Sequence, residues 1–220
     1  MDPLQPLGDQ AVLARFTDEA AALRFAALVG RGSWPWLVDV VQAYARVAVY
    51  YDLDQVNYAA AASALRDLVG QSASARAEVA GRLHHVPCCY ELQLDLERVA
   101  RQVGLSAAEV VRLHTATEYT VYAIGFCPGF PYLGYLPPAL CGVPRLAAPR
   151  VRVEVGSVGL TGRQTGVYTE SRPGGWNVIG RTPLQLVHVA DGYFPLRTGD
   201  RVRFLRIDET TFRQLLGQRL

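Results

Sequence analysis

Short apolar runs in the first part of the chain alternate with two longer segments rich in alanine and leucine. Three of the runs have the length and the Val, Ala and Tyr content of β-strands, namely residues 11–16, 37–44 and 46–51. Thr17, Asp18 and Glu19 supply an N-cap and an acidic first turn, and the alanine-rich segment after them predicts a helix up to Val29 that Gly30 and Gly32 end. A second helix is predicted from Asp52 or Asp54 to about Val69. The order of strand, helix, strand, strand and helix predicts a small ferredoxin-like α+β domain.

The stretch GQSASARAEVAG at residues 70–81 is small and polar and has no apolar stripe that requires burial. It predicts a linker at the end of the first domain, so we expect two domains, residues 1–81 with the linker included and residues 82–220. The apolar run 82–89 predicts a strand. The sequence leaves open whether this strand closes the first sheet or begins the second domain.

The second domain is predicted to start with two helices and to continue as strands. Residues 95–103 have an amphipathic pattern, and Ser106 with Glu109 forms a capping box for a helix that continues to about His114. Short apolar runs separated by glycine and proline then predict the strands of a closed or nearly closed β-barrel. These runs are residues 119–124, 151–155, 157–161, 166–169, 176–179, 184–189 and 202–207.

Composition narrows the classes of protein and of chemistry. Of 220 residues, 50% are hydrophobic and 19% charged, which is typical of a globular protein, and no apolar run has the length of a membrane span. The N-terminus lacks the pattern of a secretory signal, so we expect a cytoplasmic protein. The net charge of +2 and the scattered basic residues do not favour nucleic acid as a partner. All 22 basic residues are arginine, which excludes Schiff-base and phosphate-loop lysine chemistry in this chain.

The cysteines do not predict a metal site. Cys88, Cys89, Cys127 and Cys141 form no C-x-x-C pair. The sequence HHVPCC at residues 84–89 predicts a strand, in which neighbouring side chains point to opposite faces and cannot all converge on one ion.

Four motifs in the second half of the chain resemble a known family. They are GFCPGFPYL at residues 125–133, the pairs Pro144–Arg145 and Pro149–Arg150, GSVGLTGRQTGVY at 156–168, and PGGWNVIGRTP at 173–183. In this order they are similar to the family that contains the B subunit of 5-oxoprolinase, the kinase-A inhibitor KipI and the first subunit of allophanate hydrolase. The resemblance implies a cyclophilin-like fold for the predicted barrel.

The same resemblance implies a function. We expect the B subunit of an ATP-dependent 5-oxoprolinase, a hydrolase complex that opens 5-oxo-L-proline to L-glutamate. The A and C subunits of 5-oxoprolinase would be its partners, and the chain would be inactive alone. The complex rather than a phosphate loop of this chain would handle ATP. Two alternatives stay open, namely a KipI-like inhibitor of a sensor histidine kinase and the carboxyltransferase half of a urea carboxylase-like enzyme.

Polar residues in the glycine-rich turns are the candidates for substrate binding. Gln164, Thr165, Tyr168, Arg172 and Arg181 offer amide, hydroxyl and guanidinium donors to a carboxylate, a lactam carbonyl or a phosphate. A structural hydrogen bond is the alternative role for each of them. His114 either points toward the ligand cleft or packs beneath the barrel. No residue stands out as a nucleophile, so the catalytic residues stay unknown.

The aromatic loop at residues 125–135 is the candidate for a contact with a partner protein. Proline stiffens its backbone, and it carries Phe126, Phe130, Tyr132 and Tyr135, a type of residue that often anchors interfaces. The alternative is that these rings plug one end of the barrel.

Overall fold

The computed structural model of the protein describes residues 2–74 and 81–220, and the chain divides into two units, residues 1–80 and 81–220. The first unit consists of four strands and two helices among its described residues. They are β1 (Leu4–Pro6), β2 (Ala11–Arg15), α1 (Glu19–Arg31), β3 (Leu37–Ala43), β4 (Arg46–Tyr51) and α2 (Tyr58–Ser74). The strands pair antiparallel in the order β1-β2-β4-β3. The predicted strands and helices are present, but α1 continues past Gly30 to Arg31, and α2 begins at Tyr58 and not at Asp52 or Asp54. Strand β1 was missed because three residues beside prolines give no periodic pattern.

The helices of the first unit bury their apolar side chains together with those of the strands. Phe25 and Val29 of α1 and Leu65 of α2 are fully buried in one cluster with Val12 and Val47. Of the three residues expected to start α1, Asp18 is the cap, because its carboxylate accepts a hydrogen bond of 2.8 Å from the backbone N–H of Ala21.

The predicted linker at residues 70–81 is wrong in its first part. Helix α2 continues through Ser74, and residues 75–80 lie outside the described residues. A tertiary contact holds the extra turn, since Arg24 Nε donates to the carbonyl oxygen of Ser72 over 2.7 Å. A prediction from the local sequence cannot include this contact, because the two residues lie 48 positions apart in the chain.

The second unit contains nine strands and three α-helices among its described residues. The strands are β5 (Leu83–Cys89), β6 (Glu118–Ile124), β7 (Pro131–Gly134), β8 (Arg150–Val153), β9 (Ser157–Thr161), β10 (Gln164–Val167), β11 (Arg172–Gly174), β12 (Asn177–Arg181) and β13 (Arg201–Ile207). The helices are α3 (Leu96–Val103), α4 (Ala107–Ala116) and α5 (Glu209–Leu215).

Seven of these strands form a closed barrel in the order β6-β13-β5-β12-β9-β10-β7, and β7 pairs with β6 to close it. Strand β5 pairs parallel with β13, so the run 82–89 belongs to the second unit and not to the first sheet. Strands β8 and β11 form a separate two-stranded sheet. The pairing of β6 with β7 leaves no open edge between the first and the last strand of the barrel.

One predicted strand, residues 184–189, is wrong. This segment makes only isolated bridges, Gln185 with Arg219 and His188 with Tyr193. Pro183 lacks a backbone N–H, and the N–H of Leu184 turns back to the Thr182 hydroxyl at 3.3 Å instead of entering a ladder. Strand β7 was missed, because proline occupies its first position and glycine its last.

The buried side chains of the second unit form two apolar clusters. The main core holds residues of the barrel strands and of α3 and α4, among them Val110, Tyr119 and Phe204. A second cluster, here called the aromatic cluster, consists of Cys127, Phe130, Val153, Tyr168, Trp176 and Val178 with Tyr132 packed against it.

We expect Phe130→Ala to lower the free energy of unfolding by about 3–5 kcal/mol, because Phe130 is 2% exposed and its removal leaves a cavity in the aromatic cluster. Phe194, which is 43% exposed, is the matched control, and Phe194→Ala should cost far less. Urea denaturation of both variants measures the difference. Equal small losses would show that Phe130 does not support the fold.

Candidate functional site

An open groove of about 340 Å³ lies on the aromatic cluster. Its aromatic lining consists of Phe126, Phe130, Tyr132, Tyr168 and Trp176. The rings meet edge to face, with centroids 5.0 Å apart for Phe130 and Tyr132 and 5.6 Å apart for Phe130 and Trp176. Arg145, Pro149 and the PGG motif at residues 173–175 complete the lining.

Strand alternation explains why these rings converge. Val167 and Ile179 belong to the main core, whereas their chain neighbours Tyr168 and Val178 belong to the aromatic cluster. Successive residues of a strand point to opposite faces, so one set of positions fills the core and the other forms the groove.

Two glycines are required for the close packing around the groove. A Cβ on Gly174 would lie 2.3 Å from the Tyr168 phenol oxygen, and one on Gly166 would lie 2.8 Å from the carbonyl oxygen of Pro131. Neither distance is possible for a real side chain. The PGG motif and the GRQTGVY motif therefore carry glycine where the backbone passes against a neighbour.

A second cavity of about 420 Å³ has Arg181 in its lining. The segment 182–187 forms much of its wall, and Tyr168 lines both this cavity and the groove. Arg181 Nε donates to the carbonyl oxygen of Val155 over 2.9 Å, which fixes the base of the guanidinium group. Because Nε is engaged, the two terminal nitrogens are the donors that Arg181 can offer to an anion.

His114 does not line either cavity and lies fully buried in a chain of hydrogen bonds. Its Nδ1 lies 2.7 Å from the Tyr90 hydroxyl, and its Nε2 lies 3.0 Å from Thr165 Oγ1. The Thr165 hydroxyl donates to the carbonyl oxygen of Gly159 over 2.9 Å. Thr165 must therefore accept the Nε2 proton, and Nδ1 accepts from Tyr90.

This arrangement requires neutral histidine. Burial lowers the pKa of His114 from 6.5 to about 3, since a charged imidazolium would be desolvated at this position. Burial also raises the pKa of Tyr90 well above its usual value of 10.0, so Tyr90 keeps the proton that it donates.

The structure separates the predicted substrate-binding residues. Tyr168 and Arg181 line cavities, whereas Thr165 is fully buried beside His114. Gln164 is half-buried within β10, and Arg172 is exposed and paired with Glu170 at 2.7 Å. Neither of these two lines the groove or the larger cavity.

The four interface candidates also differ in exposure. Phe126 is 58% exposed at the groove, and Phe130 is 2% exposed beneath it. Tyr132 and Tyr135 are half-buried, and the guanidinium of Arg163 lies 4.0 Å above the Tyr135 ring.

Sequence reasoning missed Arg145 and Trp176 as lining residues. Both residues belong to motifs that carry the family resemblance. The Pro144–Arg145 pair and the two glycines before Trp176 could have indicated that these residues line a site. Within residues 2–74 and 81–220, no group of three or more His, Cys, Asp or Glu side chains could hold a metal ion. No helix in these ranges is long and apolar enough to cross a membrane.

Comparison with known proteins connects this geometry to a family. The sequence matches the profile of a family described as carboxyltransferase domain, subdomain C and D, over residues 3–192. It is 37% identical over 227 residues to the B subunit of 5-oxoprolinase from Bacillus subtilis (strain 168), and the match covers 95% of this chain and 94% of the relative.

Solved structures share the fold. The crystal structure of TTHA0988 matches with a TM-score of 0.78 and 35% identity over 91% of this chain, although the chain spans only 40% of that longer one. Urea carboxylase of Kluyveromyces lactis matches with a TM-score of 0.71 over 97% of this chain and 22% of its own. The identity there is 18%, so this likeness concerns the fold alone.

The buried state of His114 predicts a specific pH dependence of stability. Its pKa is lowered on folding, so the unfolded chain takes up a proton between pH 6.5 and about 3 that the folded chain does not. The contribution of neutral His114 to the free energy of unfolding is therefore complete above about pH 6.5. It is lost as the pH falls toward about 3, and the loss is at most on the order of 5 kcal/mol.

Urea denaturation between pH 7 and pH 4 measures this effect. We expect the stability of His114→Gln to fall less steeply with decreasing pH than that of the wild type. Phe194→Ala, which removes no ionisable group, is the control and should leave the wild-type slope. An unchanged slope in His114→Gln would contradict the assignment.

Proposed function

The chain belongs to the carboxyltransferase subdomain C and D family, which it shares with the B subunits of 5-oxoprolinase, and we propose that it is itself the B subunit of an ATP-dependent 5-oxoprolinase. The complex would open 5-oxo-L-proline to L-glutamate. The identity of 37% over 95% of the chain and 94% of the Bacillus subtilis protein carries this proposal, since it extends across both units.

The proposal includes a finer description of each unit. The closed barrel of the second unit corresponds to a cyclophilin-like fold, which by itself implies no prolyl isomerase activity. In the first unit, the elements from β2 to α2 follow the ferredoxin-like order. Strand β1 lies beside β2, in the position that the last strand of a ferredoxin-like domain takes.

The polar groups of the second unit suit the chemistry of a lactam. The amide of 5-oxo-L-proline is stabilised by resonance, and opening it places negative charge on the carbonyl oxygen or on a group attached there. Arginine donors in a partly enclosed cavity stabilise such charge. Arg181 in the larger cavity and Arg145 in the groove can serve as such donors.

Neither the groove nor the larger cavity by itself fits ATP. Each of the two cavities is lined by one arginine, neither is lined by a carboxylate, and the sequence contains no lysine. A triphosphate with its metal ion needs more positive charge than this. We therefore place nucleotide binding on the other members of the complex.

The A and C subunits of 5-oxoprolinase are the proposed partners. The exposed ring of Phe126, in the loop at residues 125–135, is the candidate from this chain for a contact with one of them. Exposed aromatic side chains on a stiff backbone lose little entropy when a partner covers them.

A second function has support from the family description. A carboxyltransferase half-site would belong to a biotin-dependent enzyme, and the fold is shared with urea carboxylase. The two functions differ in what they require, because a carboxyltransferase needs a biotinylated carrier and 5-oxoprolinase needs none.

The tagged chain, purified from its native host with the proteins that bind it, distinguishes the two. We expect the complex to release glutamate from 5-oxo-L-proline only with ATP, whereas the isolated chain releases none. The control is the same complex with urea and a biotinylated carrier. Activity only in that control would favour the carboxyltransferase, and full activity of the isolated chain would contradict its role as one part of a complex.

Arg181→Ala in the assembled complex is expected to lower kcat/KM by about tenfold or more, because a hydrogen bond to a charged group typically contributes about 1.5–3 kcal/mol. The matched control is Arg213→Ala, since Arg213 is exposed on α5 and pairs with Glu209. Thermal unfolding of both variants tests whether the fold is intact. Unchanged kinetics for Arg181→Ala would remove the larger cavity from the site.

A further inference from the structure

Arg145 is the charged residue in the lining of the aromatic groove, and no carboxylate pairs with it within residues 2–74 and 81–220. Many other exposed arginines of the second unit do have a carboxylate partner. They include Arg112, Arg152, Arg172, Arg201, Arg206 and Arg213. Arg163, over the Tyr135 ring, likewise has no carboxylate partner within the described ranges, so what distinguishes Arg145 is its place beside the five rings of the groove.

The backbone on both sides of Arg145 is held in place. The carbonyl oxygen of Pro144 accepts a hydrogen bond of 3.0 Å from Asn177 Nδ2, and the N–H of Leu146 donates to the carbonyl oxygen of Gly175 over 2.7 Å. Gly175 packs close to Arg145, since a Cβ built on it would lie 3.8 Å from the Cβ of Arg145. The residue is thus anchored through its main chain, whereas its charged group stays exposed.

The charge of Arg145 acts on the rings of the groove. Burial raises the pKa of Tyr132 and of Tyr168, and in both cases the positive charge of Arg145 opposes that rise. The guanidinium is therefore within electrostatic reach of both phenols. A ligand in the groove would meet aromatic faces on one side and a positive charge on the other.

Phe126 is held in a strained backbone conformation at the same groove. Its φ is +69°, and the N–H of Cys127 donates to the carbonyl oxygen of Gly125 over 2.8 Å, which closes a three-residue γ-turn around it. A bulky L-residue rarely adopts this conformation, and such residues cluster at ligand sites. The turn presents the Phe126 ring, 58% exposed, beside Phe130 and Tyr168.

We propose that the groove binds a small lactam carboxylate, with Arg145 holding the carboxylate and Phe126 covering the ring that lies on Tyr132 and Trp176. This assignment rests on the proposed function, under which the ligand is 5-oxo-L-proline. A carboxylate matches the two parallel donors of a guanidinium, and the flat amide group and apolar carbons of a lactam match an aromatic surface. The volume of about 340 Å³ lies near the lower end of the range of roughly 300–1,000 Å³ for ligand pockets, which suits a small molecule.

Titration of the isolated chain tests the assignment through the indole N–H signal of Trp176 in two-dimensional NMR. The signals of Trp34 and Trp36, which belong to the first unit, are internal controls, and Trp176→Phe assigns the third signal. We expect 5-oxo-L-proline to shift the Trp176 signal and to bind at least about tenfold more tightly than 2-pyrrolidinone, which lacks the carboxylate. No shift of Trp176 with 5-oxo-L-proline, or equal affinity for both compounds, would overturn the proposal.

Arg145→Gln should reduce the affinity for 5-oxo-L-proline by about tenfold or more and leave that for 2-pyrrolidinone unchanged. Arg213→Gln is the matched control and should alter neither. Phe126→Gly should weaken binding of both compounds, yet it should raise or preserve the melting temperature because glycine relieves the strain at φ +69°. Unchanged binding in Arg145→Gln or in Phe126→Gly would remove that residue from the site and overturn the proposal.

Kinetics of the assembled complex separate this proposal from the proposed function. With Arg145→Gln we expect KM for 5-oxo-L-proline to rise about tenfold or more while kcat falls much less, because the residue binds the part of the substrate that does not react. If the wild-type complex is active and Arg145→Gln leaves KM unchanged, the groove assignment fails and the function stands. If the groove binds the ligand and the complex has no oxoprolinase activity, the function fails and the groove assignment stands.

Discussion

The alternation of side chains along β7, β10 and β12 is the constraint on which the second unit depends. Leu133, Val167 and Ile179 fill the main core, and the residues beside them in the chain form or contact the aromatic cluster. A shift of one residue in the pairing of any of these strands would exchange the two sets. Closure of the barrel through β6 and β7 prevents such a shift, so the same pairing that completes the fold also determines which rings face the groove.

Strand β10 is supported from both of its faces. On one side, the hydroxyl of Thr165 joins the chain of hydrogen bonds that runs through His114 to Tyr90. On the other side, Phe130 and Trp176 pack directly on Gly166. His114 thus connects α4 to the back of the strand whose front forms the groove, and its burial follows from this position. Its chemistry is that of a neutral hydrogen-bonding group and not that of an acid or base.

The sequence predicted the strands and helices that have a local pattern. It did not predict those that depend on contacts between residues far apart in the chain. The strand at Ser157–Thr161 was predicted with its bounds, and Ser106 caps α4 through the N–H of Glu109 as its capping box indicated. Strand β7 was missed, because its residues read as a proline-rich turn until β6 and β10 pair with them. The extension of α2 to Ser74 likewise depends on a contact from Arg24, 48 positions earlier in the chain than Ser72.

The candidate site shows the same limit. Gln164, Thr165 and Tyr168 are close in sequence and were therefore predicted to act together. In the structure, side chains alternate along β10 and the chain turns after it, so Thr165 lies in the buried hydrogen-bond network and Tyr168 lines the cavities. Arg145 lies more than 20 positions before Tyr168, and the hydrogen bond between Leu146 and Gly175 brings it to the groove. Residue types alone do not reveal such a convergence, because a main-chain contact produces it.

The distribution of positive charge explains why a chain of this kind would work within a complex. One arginine lines the groove and one lines the larger cavity, and Tyr168 lies between the two. One guanidinium can neutralise one carboxylate, so each cavity suits a ligand with a single negative charge. Under the proposed function, the remaining positive charge and the metal ion that a triphosphate requires would come from another surface of the complex. Under the proposed function, this count of charges favours an active site that is divided between the chains of the complex.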